Sequence, residues 1–151
     1  MIKINDGKII GGYTTIPLKC ESNSYISDKD AFIFSIDSKE KYSIKSQLKG
    51  ENAIYHDQSN YCCCYGFCGD DLAIYEKFLN NSNSYCSGNG DYCSFETNNL
   101  KMIGKGIKGK VYFITSELEV YKVCSNETEF HKDLSTFKDE TVKISHVLTD
   151  N

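Results

Sequence analysis

Tyr65-Gly66-Phe67-Cys68-Gly69-Asp70-Asp71-Leu72-Ala73-Ile74 opens the stretch that decides the fold, and Glu117-Leu118-Glu119-Val120-Tyr121-Lys122-Val123 closes it. The first segment is a strand pattern broken by glycines, which mark a bulge or a close approach of backbone. Between the two, residues 80–91 are rich in Asn, Ser and Gly and read as a loop by composition. In the closing segment Glu117, Glu119 and Tyr121 alternate with Leu118, Val120 and Lys122, the period of a strand with two different faces. An acid in the middle of a β-rich run is locally unfavourable, so Glu119 reads first as part of an exposed sheet face.

Further strand-like runs lie outside this stretch. Residues 8–15 are β-rich and carry the pair Gly11-Gly12 followed by Tyr13. Residues 31–36 form an apolar run of strand length. Asp37-Ser38-Lys39-Glu40 then reads as a hairpin turn into residues 41–45, which alternate cleanly. Residues 53–56, 61–67, 72–75, 110–115 and 118–124 complete the set. Many short strands separated by turn signals predict a mainly β chain, an antiparallel two-sheet β-sandwich. Helical periodicity is best over 127–138, where Phe130, Leu134 and Phe137 share one face and Asn126 stands at the capping position. The expected organisation is one domain over 1–124 and a C-terminal extension over 125–151 with one short helix.

A chain of 151 residues can bury one core, and its 40% hydrophobic and 25% charged content is that of an ordinary globular domain. The net charge of −4 supplies no basic footprint for nucleic acid or anionic lipid. No apolar run has the length to span a bilayer, and the N-terminus lacks a signal-peptide core, so no membrane insertion and a cytoplasmic location are expected.

Eight cysteines are present, and in a cytosolic chain they are expected to stay reduced. Cys62-Cys63-Cys64 with Cys68 is the one cluster. Successive strand residues point to opposite faces, which puts Cys62 and Cys64 on one side and Cys63 on the other, a poor start for a tetrahedral metal site. No metal and no cofactor are expected. The cysteines read as small buried hydrophobes; the rival is a thiol-based redox or metal-binding module built on Cys62, Cys63, Cys64 and Cys68, which needs a lowered thiol pKa.

The order of these signals resembles the TLDc domain family. The residues that carry the resemblance are Gly11-Gly12-Tyr13, then Pro17 followed by Leu18 where the family usually has Trp, then the aromatic-aliphatic strand from Ala31 to Phe34. After them come the glycine-containing turn at Gly69 leading into Asp71-Leu72-Ala73-Ile74, the Asn/Ser/Gly loop, and Glu117-Leu118-Glu119-Val120-Tyr121. The likeness spans residues 8–124 and implies a two-sheet β-sandwich with a few short flanking helices. It also implies that the usual N-terminal portion of the family domain is missing, which would leave a sheet edge or apolar face to be covered. It implies a non-catalytic role by protein-protein contact, in oxidative-stress resistance and in regulating the vacuolar proton-pumping ATPase, whose subunits become the candidate partners. In that light Gly11, Gly12, Tyr13, Gly69, Asp71 and Glu119 are signature positions. Asp71 is expected to be structural, bonding loop backbone amides, and Glu119 to brace the 80–91 loop or to touch a partner.

Two enzyme readings are weaker. Gly104-Lys105-Gly106-Ile107-Lys108-Gly109 fits the dinucleotide-binding pattern in letters, but a β-rich run follows it where a helix is required. His56, His131 and His146 are isolated and form no recognised catalytic order.

Overall fold

The computed structural model describes residues 1–17, 23–56, 61–65, 71–75, 77, 79, 82–88, 95, 102–103, 109–124 and 142–148; for 61–65, 88, 109, 122–124 and 142–148 it describes the backbone alone. Among the described residues the strands form two six-stranded sheets. The first contains β1 (Ile2–Ile4), β2 (Ile9–Tyr13), β4 (Phe32–Ser35), β5 (Glu40–Ser43), β11 (Thr115–Cys124) and β12 (Val142–Leu148), in the order β12-β11-β1-β2-β4-β5. The second contains β3 (Ser24–Ile26), β6 (Ile54–His56), β7 (Tyr61–Tyr65), β8 (Leu72–Tyr75), β9 (Ser84–Gly88) and β10 (Gly109–Phe113), in the order β10-β9-β8-β7-β6-β3. Every pairing is antiparallel except β11 with β12. The expected mainly β, antiparallel sandwich is the observed architecture. Outside the strands a 3-10 turn covers Ser46–Leu48. Among the described residues no helix is long and apolar enough to cross a membrane.

Alternation explains which residues meet between the sheets. In β1 the isoleucines point inward and Lys3 outward; in β10 Val111 and Phe113 point inward and Lys110 and Tyr112 outward. One core cluster draws on both sheets: Ile2, Ile4, Ile10, Ile33, Tyr42 and Leu118 from the first, and Ile54, Leu72, Ile74, Cys86, Val111 and Phe113 from the second. Phe95, Met102 and Ile103, which lie between β9 and β10 in sequence, are also fully or almost fully buried in it. The chain passes from the second sheet to the first through Ile114, the one residue between β10 and β11. A strand that switches sheets at a corner is a common way to close a sandwich.

Four strands, β1, β3, β9 and β12, differ from the sequence expectation. β1 and β3 are only three residues long, too short to show a period. β9 lies inside the 80–91 segment read as a loop. Its serines made it look like a turn, yet Ser84 is completely buried and its hydroxyl oxygen accepts the Tyr75 N–H at 3.2 Å. The C-terminal segment 125–151 contributes β12 to the first sheet; the helix expected over 127–138 lies outside the described residues.

One buried carboxylate fastens the turns at the end of β2. Asp28 is 5% exposed. Its Oδ2 accepts the Thr14 hydroxyl and the Thr15 N–H, both at 2.7 Å, and its Oδ1 accepts the Asp30 N–H at 3.0 Å. Its own N–H donates to the Gly50 carbonyl at 3.1 Å. Burial alone would raise the carboxyl, but the hydrogen bonds from Thr14, Thr15 and Asp30 outweigh it and hold the group below its ordinary value. Gly50 has φ +91°, and a Cβ there would stand 2.6 Å from the Lys29 amide nitrogen. Gly11 is cramped differently: its Cβ would stand 2.5 Å from Cζ of Phe34, the end of a side chain.

Two expectations follow for urea unfolding. Asp28→Asn places an NH₂ against donors and should cost about 1–3 kcal/mol at neutral pH. Because the folded carboxyl is depressed, its stabilisation is present above the unfolded value near pH 4 and is lost as pH falls through the folded one, so the gap between wild type and variant should narrow in acid. Gly50→Ala meets backbone at a positive φ and should cost roughly 2 kcal/mol or more, whereas Gly11→Ala should cost less because the Phe34 ring can swing away.

Candidate functional site

The outward side of the first sheet is assembled by register. Gly11 lies opposite Phe34, and Tyr13 opposite Phe32. With no side chain on Gly11, the Phe34 ring can settle close to the backbone. Tyr13 stacks on Phe32 with 5.0 Å between ring centroids and 22° between planes, and Phe34 follows at 6.1 Å from Phe32. All three rings are half-buried. Lys41, paired with Phe34 from β5, holds its ammonium 4.1 Å from the centroid of the Phe32 ring, a cation over the negative face of an aromatic. Gly12 pairs with Ile33 and belongs to the inward side.

Glu119 lies in the same sheet, two strands from Gly11 with β1 between them. It alternates with the buried Leu118 and so faces outward. Its N–H donates to the Met1 carbonyl at 2.8 Å. Its Oε2 accepts the Tyr121 hydroxyl at 2.6 Å. That hydrogen bond, with partial burial and the carboxylate charge behind it, raises the Tyr121 phenol above its ordinary value. Alongside, Lys3 Nζ donates to Glu117 Oε1 at 2.8 Å across β1 and β11.

Asp71 belongs to the other sheet. It immediately precedes β8, is completely buried, and its Oδ1 accepts the Phe95 N–H at 3.3 Å, while its carbonyl accepts the Ser87 N–H at 2.9 Å. The carboxylate therefore ties a fully buried core aromatic, distant in sequence, to the start of a central strand. Cys62, Cys63 and Cys64 lie in β7, where Cys63 pairs with Ile74 and Cys64 with Ala73; an irregular step between Tyr61 and Cys63 interrupts the simple alternation expected there. Gly69, Cys68 and the glycine-rich 104–108 segment lie outside the described residues. Cys86, not singled out in the sequence, is buried in the core, an environment in which a thiol is structural. His56 is 5% exposed, and its Nε2 is without a partner.

The structure thus brings Gly11, Tyr13 and Glu119 to one face of the first sheet and puts Asp71 in the second. Phe32, Phe34 and Lys41 also belong to that face, and alternation along the hairpin from 31 to 45 is the signal that locates them. The chain matches no family model, no curated protein and no solved structure.

Replacing Asp71 separates its two oxygens from its charge. Asp71→Ala strands the buried Phe95 N–H and opens a small void, which should cost about 2–4 kcal/mol in urea unfolding. Asp71→Asn keeps an acceptor for that amide and should cost clearly less; equal losses would mean that the hydrogen bond carries no weight.

Proposed function

We propose that the chain is a non-catalytic, cytoplasmic interaction domain of TLDc type that docks on a protein partner with the outward face of its first sheet. One observation carries the reading: signature positions far apart in sequence, Gly11, Tyr13 and Glu119, converge on a face that also holds a run of half-buried aromatic rings. Aromatic side chains give large contact area for little lost rotamer freedom, and they are enriched where proteins meet. Lys41, Lys3, Glu117 and Glu119 add alternating charges around the rings. Such a rim sets orientation and association rate more than affinity.

The resemblance supplies the candidate partner, a subunit of the vacuolar proton-pumping ATPase, and the setting, resistance to oxidative stress. Neither comes from the geometry. The geometry supports only how such contact would be made: by a preformed aromatic platform on a sheet face.

The test is a crosslinked pull-down with the tagged chain. Pump subunits should be enriched with the wild type and reduced about tenfold or more by Tyr13→Ser combined with Lys41→Glu, as expected when a central aromatic anchor is truncated. The thermal midpoint of the variant should stay close to that of the wild type. Retention of the subunits by the variant would sink the proposed face, and their absence from the wild-type sample would sink the partner.

A further inference from the structure

The outward residues of the first sheet fall into rows that cross from β11 to β5. One row runs Glu117, Lys3, Ile9, Ile36, Lys39. Lys3 pairs with Glu117 and with Ile9, the Ile36 N–H donates to the Ile9 carbonyl, and the Lys39 N–H to the Ile36 carbonyl. The next row runs Glu119, Met1, Gly11, Phe34, Lys41, with Met1 beside Gly11 by continuation of the β1–β2 ladder. Tyr13 and Phe32 extend the middle of the face beyond it. Both rows begin with an acid on β11 and end with a lysine at the β4–β5 hairpin, four strand spacings or about 19 Å away. Between these ends the face is largely apolar. Ile36 is 51% exposed and Met1 36%, beside the three half-buried rings. An apolar patch flanked by charge in this way is the mark of a contact surface.

A row with an acid at one end and a base at the other is complementary to its own reversed copy. Two such faces pack about a two-fold axis that lies in the interface. With the axis along the strands, the strand order of one copy runs opposite to that of the other. Glu117 and Glu119 then meet Lys39 and Lys41 of the second copy. Lys3 and Met1 lie over its Ile36 and Phe34, a lysine stem on an aliphatic and a thioether on an aromatic. Ile9 and Tyr13 meet their own counterparts. The strands of the two copies stay aligned, the usual relation of sheets packed face to face. With the axis across the strands, acid would face acid and lysine would face lysine, which is unfavourable. We propose that the outward face of the first sheet pairs with the same face of a second copy of this chain, about a two-fold axis along the strands, with Glu119 and Lys41 setting the geometry. This pairing rests on the reading of the face as a contact surface, and it names the occupant taken when no other partner is bound. The face offers roughly half the residues of a standard interface, so the dimer is weak, with a dissociation constant on the order of 0.1 mM.

The experiment is sedimentation velocity of the full chain from about 10 μM to 1 mM. The weight-average mass should rise from one chain toward two. Lys41→Glu and Glu119→Lys should each raise the midpoint about tenfold or more, and Tyr13→Ser should raise it too. An equimolar mixture of Lys41→Glu with Glu119→Lys should associate again, because each supplies the charge that the other has lost. Both substitutions in one chain should restore association as well. The pairing is overturned if the wild type keeps the mass of one chain up to 1 mM, if the single variants associate as readily as the wild type, or if their mixture does not associate. A wild type that stays monomeric yet enriches pump subunits in the pull-down would overturn the pairing alone. A charge-dependent dimer that enriches no subunit would support the pairing and remove that partner.

Discussion

The first sheet hangs on three residues. β1 pairs with β11 on one side and β2 on the other. Without it the sheet separates into a β12–β11 pair and a β2–β4–β5 meander. Its hold is mostly apolar and main-chain. Ile2 and Ile4, 2% and 3% exposed, each contribute roughly 1.5–3 kcal/mol by burial. The Lys3–Glu117 pair is exposed, and screening by water leaves it little weight. The register slips between Lys3 and Ile4, so that Ile4 meets Thr115. That irregularity falls where the chain turns through Ile114, and the Asn5–Ile114 hydrogen bond closes the corner directly beyond it. The strand that joins the halves of one sheet therefore also fixes the point at which that sheet is connected to the other.

This arrangement produces the outward aromatic face. Because β1 is central, β11 and β2 are brought within two strand spacings, and Glu119 and Gly11 come to one side of one sheet. Gly11 weakens its strand, since it offers no side chain to pack. The loss is offset across the ladder, where Phe34 covers the glycine and joins Phe32 and Tyr13 in a continuous run of rings. The second sheet repeats the device on its own outward side, with Lys110 over Tyr85 as Lys41 is over Phe32. In both places a lysine ammonium lies over the negative face of an aromatic ring.

What could be read in the sequence follows from range. The hairpin from 31 to 45 was legible because strand, turn and strand lie within fifteen or so residues and alternate in phase. β8 was legible because Leu72-Ala73-Ile74 is an apolar run, and both its faces are indeed covered. β1, β3 and β12 were not. Three-residue strands carry no period, and the parallel β11–β12 pairing depends on a partner that local pattern cannot name. β9 was hidden by composition, since Ser84 and Ser87 look like turn residues until partners for their polar groups are found inside the sheet. Of the aromatic face, Gly11 and Tyr13 stood out as a motif, whereas Phe32 and Phe34 were read only as members of an apolar run of strand length; alternation puts the two on one side of the strand, and the sheet decides that this side faces outward.

The buried polar groups have a role that the apolar ones cannot fill. A slip of one residue between strands turns every core side chain outward and is forbidden, but a slip of two restores the alternation and leaves the apolar pattern nearly satisfied. In the second sheet the difference is made by hydrogen bonds. Tyr75 donates to the Ser84 hydroxyl oxygen, Ser87 to the Asp71 carbonyl, and Phe95 to the Asp71 carboxylate. Shifting β8 by two residues against β9 would let Ser87 bond another backbone carbonyl, but it would break the Tyr75–Ser84 side-chain bond and move the Asp71 carboxylate about 7 Å from Phe95, a loss of roughly 1–3 kcal/mol for each buried side-chain bond. Asp71 and Ser84 sit in the interior of this sandwich at some desolvation cost, and the return is a single register for the strands that carry Tyr85 and, through it, the orientation of Tyr112.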